Sequence, residues 1–115
     1  MREYQPDCWK LVKIVSPKHG TIYKVLAGWY GGFARGDSWK LSSGTEDVQV
    51  QDDLIRLPQY SGSVYLLHEG CEHMSSLMHG VYNSFVEDIE GTENSIELIT
   101  LDELKHAFSY KKESS

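Results

Sequence analysis

The sequence predicts an α+β fold. An antiparallel β-sheet is packed by one long amphipathic helix, about residues 73–90, and by a short C-terminal helix, about residues 101–110. Three features carry that prediction. Two runs of β-branched and aromatic residues flank a proline–glycine turn near the N-terminus. After residue 73 the apolar period changes from that of a strand to that of a helix. A capping sequence, Thr100-Leu101-Asp102-Glu103, opens the last segment. The 115 residues suit a single domain, 1–115.

Trp9-Lys10-Leu11-Val12-Lys13-Ile14-Val15 reads as the first strand. Ser16-Pro17-Lys18-His19-Gly20 is turn chemistry, and Thr21 to Trp29 returns as the second strand. That strand is apolar on both faces, with Tyr23, Val25 and Ala27 opposite Ile22 and Leu26, so the hairpin should be covered on two sides. A glycine-rich loop over residues 28–36 leads to a short strand, Asp37-Ser38-Trp39-Lys40-Leu41. Short strands are expected around Val48-Gln49-Val50 and from Leu54 to Leu57, the latter stopped by Pro58. Ser63 to His68 is a further strand. Met74, Leu77, Met78, Val81, Tyr82, Phe85, Val86 and Ile89 then recur at helical spacing. Gly91 suits the position just past the helix end. Gly80 costs about 1 kcal/mol relative to Ala, which predicts a close approach of helix to sheet there. Ser95 to Ile99 is the last strand, and Leu101, Leu104, Ala107 and Phe108 mark the inner face of the C-terminal helix.

Composition narrows the functional classes. An apolar fraction of 40% with 24% charged residues is that of a globular chain and argues against disorder. The polar start, Met1-Arg2-Glu3-Tyr4-Gln5-Pro6-Asp7, is unlike a secretory signal, and no apolar run is long enough for a bilayer. Cys8 and Cys71 make no disulfide framework and suit reduced thiols in a cytosol, with a single bridge between them as the alternative. The net charge of −6 conceals an asymmetry. Residues 1–42 hold seven Lys/Arg against three Asp/Glu, whereas residues 43–104 hold thirteen acids against Arg56 alone. Direct nucleic-acid binding is therefore not expected, because a phosphate backbone requires clustered cations. A basic protein, or a protein–nucleic-acid complex, is the natural partner.

Three constellations carry candidate chemistry. The first is Gly28-Trp29-Tyr30-Gly31-Gly32-Phe33-Ala34-Arg35-Gly36. Trp29 and Trp39 read as core anchors at strand ends, and Tyr30, Phe33 and Arg35 as partner-binding residues, since Tyr and Arg are enriched at hot spots. The loop lacks the Gly-Lys-Ser/Thr of a phosphate-binding loop. The second is His68, Cys71 and His73, with His79 beyond. Their donors suit zinc, yet His73 and His79 lie roughly 240° apart on a helix, so they do not share a face. No metal, cofactor or catalytic residue is assigned. The third is Glu87, Asp88 and Glu90 in the last turn of the long helix, where the macrodipole favours cations. Acids kept there point to partner binding, the alternative being abundant acids that only keep the protein soluble. The doublets Glu46-Asp47 and Asp52-Asp53 are expected on loops, extending the same surface.

The strings Trp9-Lys10-Leu11-Val12-Lys13-Ile14, Lys24-Val25-Leu26-Ala27-Gly28-Trp29-Tyr30-Gly31-Gly32, Asp37-Ser38-Trp39-Lys40-Leu41-Ser42-Ser43-Gly44 and Ser61-Gly62-Ser63-Val64-Tyr65 resemble those of short bacteriophage and prophage proteins without an assigned function. The resemblance spans about residues 9–85 and implies an accessory protein. By analogy, such a protein inhibits or modulates a host nucleic-acid machine stoichiometrically, as anti-restriction and anti-CRISPR proteins do. Two alternatives stand beside that reading. One is a small ligand-binding or enzymatic domain built on the glycine-rich loop with His68, Cys71 and His73. The other is a virion structural part or homo-oligomeric adaptor.

Overall fold

Residues 2–31 and 36–110 are described by the computed structural model. In chain order they form β1 (Glu3–Tyr4), β2 (Cys8–Ser16), β3 (Gly20–Trp29), β4 (Ser38–Leu41), β5 (Gln49–Gln51), β6 (Leu54–Pro58) and β7 (Val64–His68). A single 3-10 turn follows at Glu69–Cys71, then α1 (Ser76–Ile89), β8 (Ser95–Ile99) and α2 (Leu101–Ala107). The α+β class and its long and short helices are as the sequence predicts.

The strands sort into two sheets, ordered β1-β7-β6-β5 and β4-β3-β2-β8. Pairing is antiparallel except between β1 and β7, which run parallel. The sheets face one another across a core of Trp9, Leu11, Val25 and Ala27 on one side and Ile55, Leu57, Tyr65 and Leu67 on the other. The Trp9 indole N–H reaches the His68 carbonyl at 2.8 Å and ties β2 to β7. Leu101 and Leu104 of α2 add to this core.

Helix α1 lies on the outer face of the β4-β3-β2-β8 sheet, against Cys8, Leu26 and Leu41. The β2–β3 hairpin is thus covered on both faces, which is why β3 carries no polar stripe. Met78 and Leu104 stand at the centres of the two helix contacts, each fully buried.

Both helix starts are set by side-chain caps. Ser75 Oγ accepts the Met78 N–H at 3.3 Å, so α1 begins at Ser76 rather than at residue 73. Thr100 and Glu103 form the reciprocal box that opens α2. The C-terminal helix stops at Ala107, short of residue 110, because Ser109 takes a left-handed φ of 52° and turns Tyr110 back. The Tyr110 hydroxyl then donates to the Val50 carbonyl of the other sheet at 3.5 Å. Among the described residues, no helix is long and apolar enough to cross a membrane.

Gly80 does not mediate the approach of α1 to the sheet. It is exposed, and a β-carbon there would meet nothing within 4 Å. The close approach is made from the strand side, at Gly28. A β-carbon on Gly28 would overlap Met78 Sδ.

Candidate functional site

Strand alternation directs Cys8 and Ile14 of β2, and Leu26 and Gly28 of β3, towards α1. The two ends of that face differ in bulk. At one end Cys8 and Gly28 are small, so the N-terminal half of α1 drops onto the sheet. Met78 is sealed there, and the Cys8 thiol donates to its Sδ at 3.4 Å. At the other end, Ile14, Leu41 and Ile96 meet Phe85 and Ile89 without closing. An apolar groove of about 220 Å³ remains, and Asp88 is its one charged lining residue.

The acids predicted as partner-binding residues stand beside this groove. Glu87, Asp88 and Glu90 are exposed, with Glu90 at the helix C-cap. None of the three takes part in an ion pair with the described residues. Ion pairs among the described residues lie elsewhere, Lys10–Glu72 at 3.2 Å and Lys13–Glu97 at 3.8 Å. Both join the basic N-terminal part of the chain to its acidic part, so folding interleaves some of the charge, while the α1 end has no ion pair among the described residues. Glu46-Asp47 and Asp52-Asp53 do fall on loops, but these flank β5 at the edge of the opposite sheet. They do not extend the α1 surface.

Trp39 belongs to this face. It shares a side of β4 with Leu41, is 41% exposed, and meets Phe85 edge-on with ring centroids 5.8 Å apart. Sequence reasoning placed it in the core, and only its spacing of two from Leu41 hinted otherwise. Trp29 does serve as an anchor. It is half-buried against the core, and its indole N–H donates to the Gln5 carbonyl at 3.0 Å.

Tyr30 occupies a separate corner at the opposite end of α1. Its backbone N–H donates to Asp7 Oδ2 at 2.8 Å, and its hydroxyl lies 3.2 Å from His73 Nε2. The influence of the Cys8 thiol, then desolvation and the negative charges of Asp37 and Asp7, hold the phenol above its ordinary pKa. The neck of the glycine-rich loop is tight, since a β-carbon on Gly31 would overlap the Gly36 backbone. Phe33 and Arg35 lie outside the described residues. Residues 75 and 88 are separated by roughly 20 Å of helix, so Tyr30 and the acidic turn do not form one patch.

The remaining sulfur and imidazole groups form no cluster of three among the described residues. His68 contributes its carbonyl to Trp9, Cys71 packs at the margin of the inter-sheet core, and His79 is exposed on α1. Among the described residues, no group of three or more His, Cys, Asp or Glu side chains is placed to hold a metal ion. A larger trough of about 470 Å³ runs beside α2. Its charges are of both signs and partly engaged already, Lys13 with Glu97 and Glu103 in the capping box.

These features define an α+β chain with one acid-rimmed apolar face. Comparison with known protein families, curated proteins and solved structures finds no match for it.

Proposed function

We propose that the chain is a binding protein that acts through the acidic, partly apolar end of α1. Its partner is a basic protein surface of a nucleic-acid-dependent machine, such as a restriction or CRISPR complex. On this reading it is a phage accessory protein working stoichiometrically in the cytoplasm of a bacterial host. One observation carries the proposal: Glu87, Asp88 and Glu90 stand exposed, without an ion pair among the described residues, beside an open apolar groove. Acids at a helix C-terminus oppose the macrodipole, so their retention there is better explained by a partner than by stability. The resemblance to short phage proteins adds support by analogy.

The test is capture from bacterial lysate with the intact chain, at low and high salt, alongside the combined variant Glu87→Lys, Asp88→Lys and Glu90→Lys. A partner held by the original chain and released by both salt and charge reversal is expected. Equal retention by the two proteins would overturn the proposal.

A second reading, a small ligand-binding or enzymatic corner, draws on the Tyr30–His73 pair. It is weakened because Cys71 packs against the inter-sheet core and no group of three or more His, Cys, Asp or Glu side chains gathers among the described residues.

A further inference from the structure

We infer that the open end of the α1 groove is a specificity pocket for one large apolar side chain flanked by lysine or arginine, presented by a basic protein partner. The inference rests on the binding reading above and names the partner's chemistry. A cavity of about 220 Å³ admits a single large aliphatic or aromatic side chain, the kind of anchor that dominates protein interfaces. Its walls, Ile14, Leu41, Phe85, Ile89 and Ile96, offer such a side chain no hydrogen bond, so burial of apolar surface is what they reward.

The charges select what flanks the anchor. Asp88 lines the groove itself, with Glu87 one residue before it and Glu90 two residues after it, all three exposed. A cation beside the anchor is attracted; a carboxylate or phosphate is repelled. The same charges disfavour a second copy of this chain. Each copy carries a net charge of −6, and a two-fold contact through this face would bring two acidic helix ends together. The groove opens where it does because β-branched and aromatic side chains hold the sheet and helix apart, while Gly28 and Cys8 fix the other end of α1 closely.

The test uses the intact chain, two-dimensional amide and indole NMR, and a short synthetic peptide with Phe between lysine pairs. Expected are shifts at the Trp39 indole and at Ile14, Leu41, Phe85, Ile89 and Ile96. Binding should weaken by about tenfold or more when the peptide's Phe becomes Ala, and be lost when its lysines become Glu. Groove-filling by Ile96→Phe, or independently by Leu41→Phe, should remove the response while the spectrum stays dispersed. Equal binding of the Phe and Ala peptides, or shifts confined to other surfaces, overturns the pocket. If charge reversal on α1 abolishes partner capture but neither filling variant changes it, the pocket fails and the binding reading stands.

Discussion

Met78 Sδ occupies the space that a β-carbon on Gly28 would need. The contact sets the height of α1 above its sheet at one end, and so leaves the groove at the other. Met78 is fully buried and has Cys8 Sγ 3.4 Å away, so its sulfur has little room to withdraw. Gly28→Ala should destabilise the protein by about 1–3 kcal/mol through overpacking. In a Met78→Ala background the same change should cost much less. Denaturant unfolding of the four proteins in the cycle measures this, and an equal cost in both backgrounds would sink the steric explanation.

Tyr65 presents the opposite situation, a polar atom left unbonded. Its hydroxyl is buried between the sheets without a hydrogen-bond partner among the described residues, while its ring stacks on Tyr4 with centroids 5.0 Å apart. Tyr65→Phe keeps the stacking and removes the orphan hydroxyl, so it should be neutral or stabilising by up to about 1 kcal/mol. Burial, with a smaller contribution from Tyr4, pushes the phenol up to about 12 from its ordinary 10.0. Between those two values the folded state holds a proton that the unfolded chain has released. Stability should therefore fall as pH rises from about 10 to about 12. The Phe variant should lack that component. A Phe variant that unfolds with the same alkaline profile contradicts the assignment.

The capping box at the start of α2 supports the core through Leu101 and Leu104. Thr100→Ala removes the acceptor for the Glu103 N–H, a bond of 3.1 Å, and should cost about 1 kcal/mol. Urea midpoints should shift while the slope stays constant. A changed slope would mean that the helix contributes to compactness as well as stability.

The two thiols should behave differently. Cys8 has no exposed surface and Cys71 is only half-buried. A thiol reagent added to the native protein should label Cys71 first, and Cys8 only at the rate of opening. The residues belong to different clusters, Cys8 under α1 and Cys71 against the inter-sheet core. Equal labelling rates, followed by peptide mass mapping, would show that α1 lifts off readily.

Local chemistry made several elements legible. The β2–β3 turn announces itself through Pro17 and Gly20, and α1 through its apolar spacing. Thr100 and Glu103 mark α2, as their reciprocal hydrogen bonds confirm. Partnership between distant segments was not legible. Glu3–Tyr4 is too short to read as a strand, and becomes one only by lying beside Val64 and Tyr65. Nothing local tells β6 and β7 to form a sheet separate from β2 and β3. The acidic turn of α1 was visible because its charges oppose the helix dipole. The groove beside it joins side chains from β2, β4, α1 and β8, and no single segment carries its signature. Tyr30 was singled out for its composition, but its partner His73 is 43 residues away.

Stability and binding should move in opposite directions at the end of α1. Glu87 and Asp88 lie in the last turn, with Glu90 as the cap, where each negative charge opposes the macrodipole. No cation in that turn offsets them, since the helix has no basic residue there. Neutralising all three, as Glu87→Gln, Asp88→Asn and Glu90→Gln, should raise stability by about 1 kcal/mol at low salt, with less gain at high salt. The same variant should lose most of its affinity for a basic partner. Structural acids would show a loss of stability together with any loss of binding, because their removal would damage the fold. A gain in midpoint accompanied by weaker, less salt-sensitive capture separates the two cases. It identifies the triplet as residues retained at a cost to the helix that carries them.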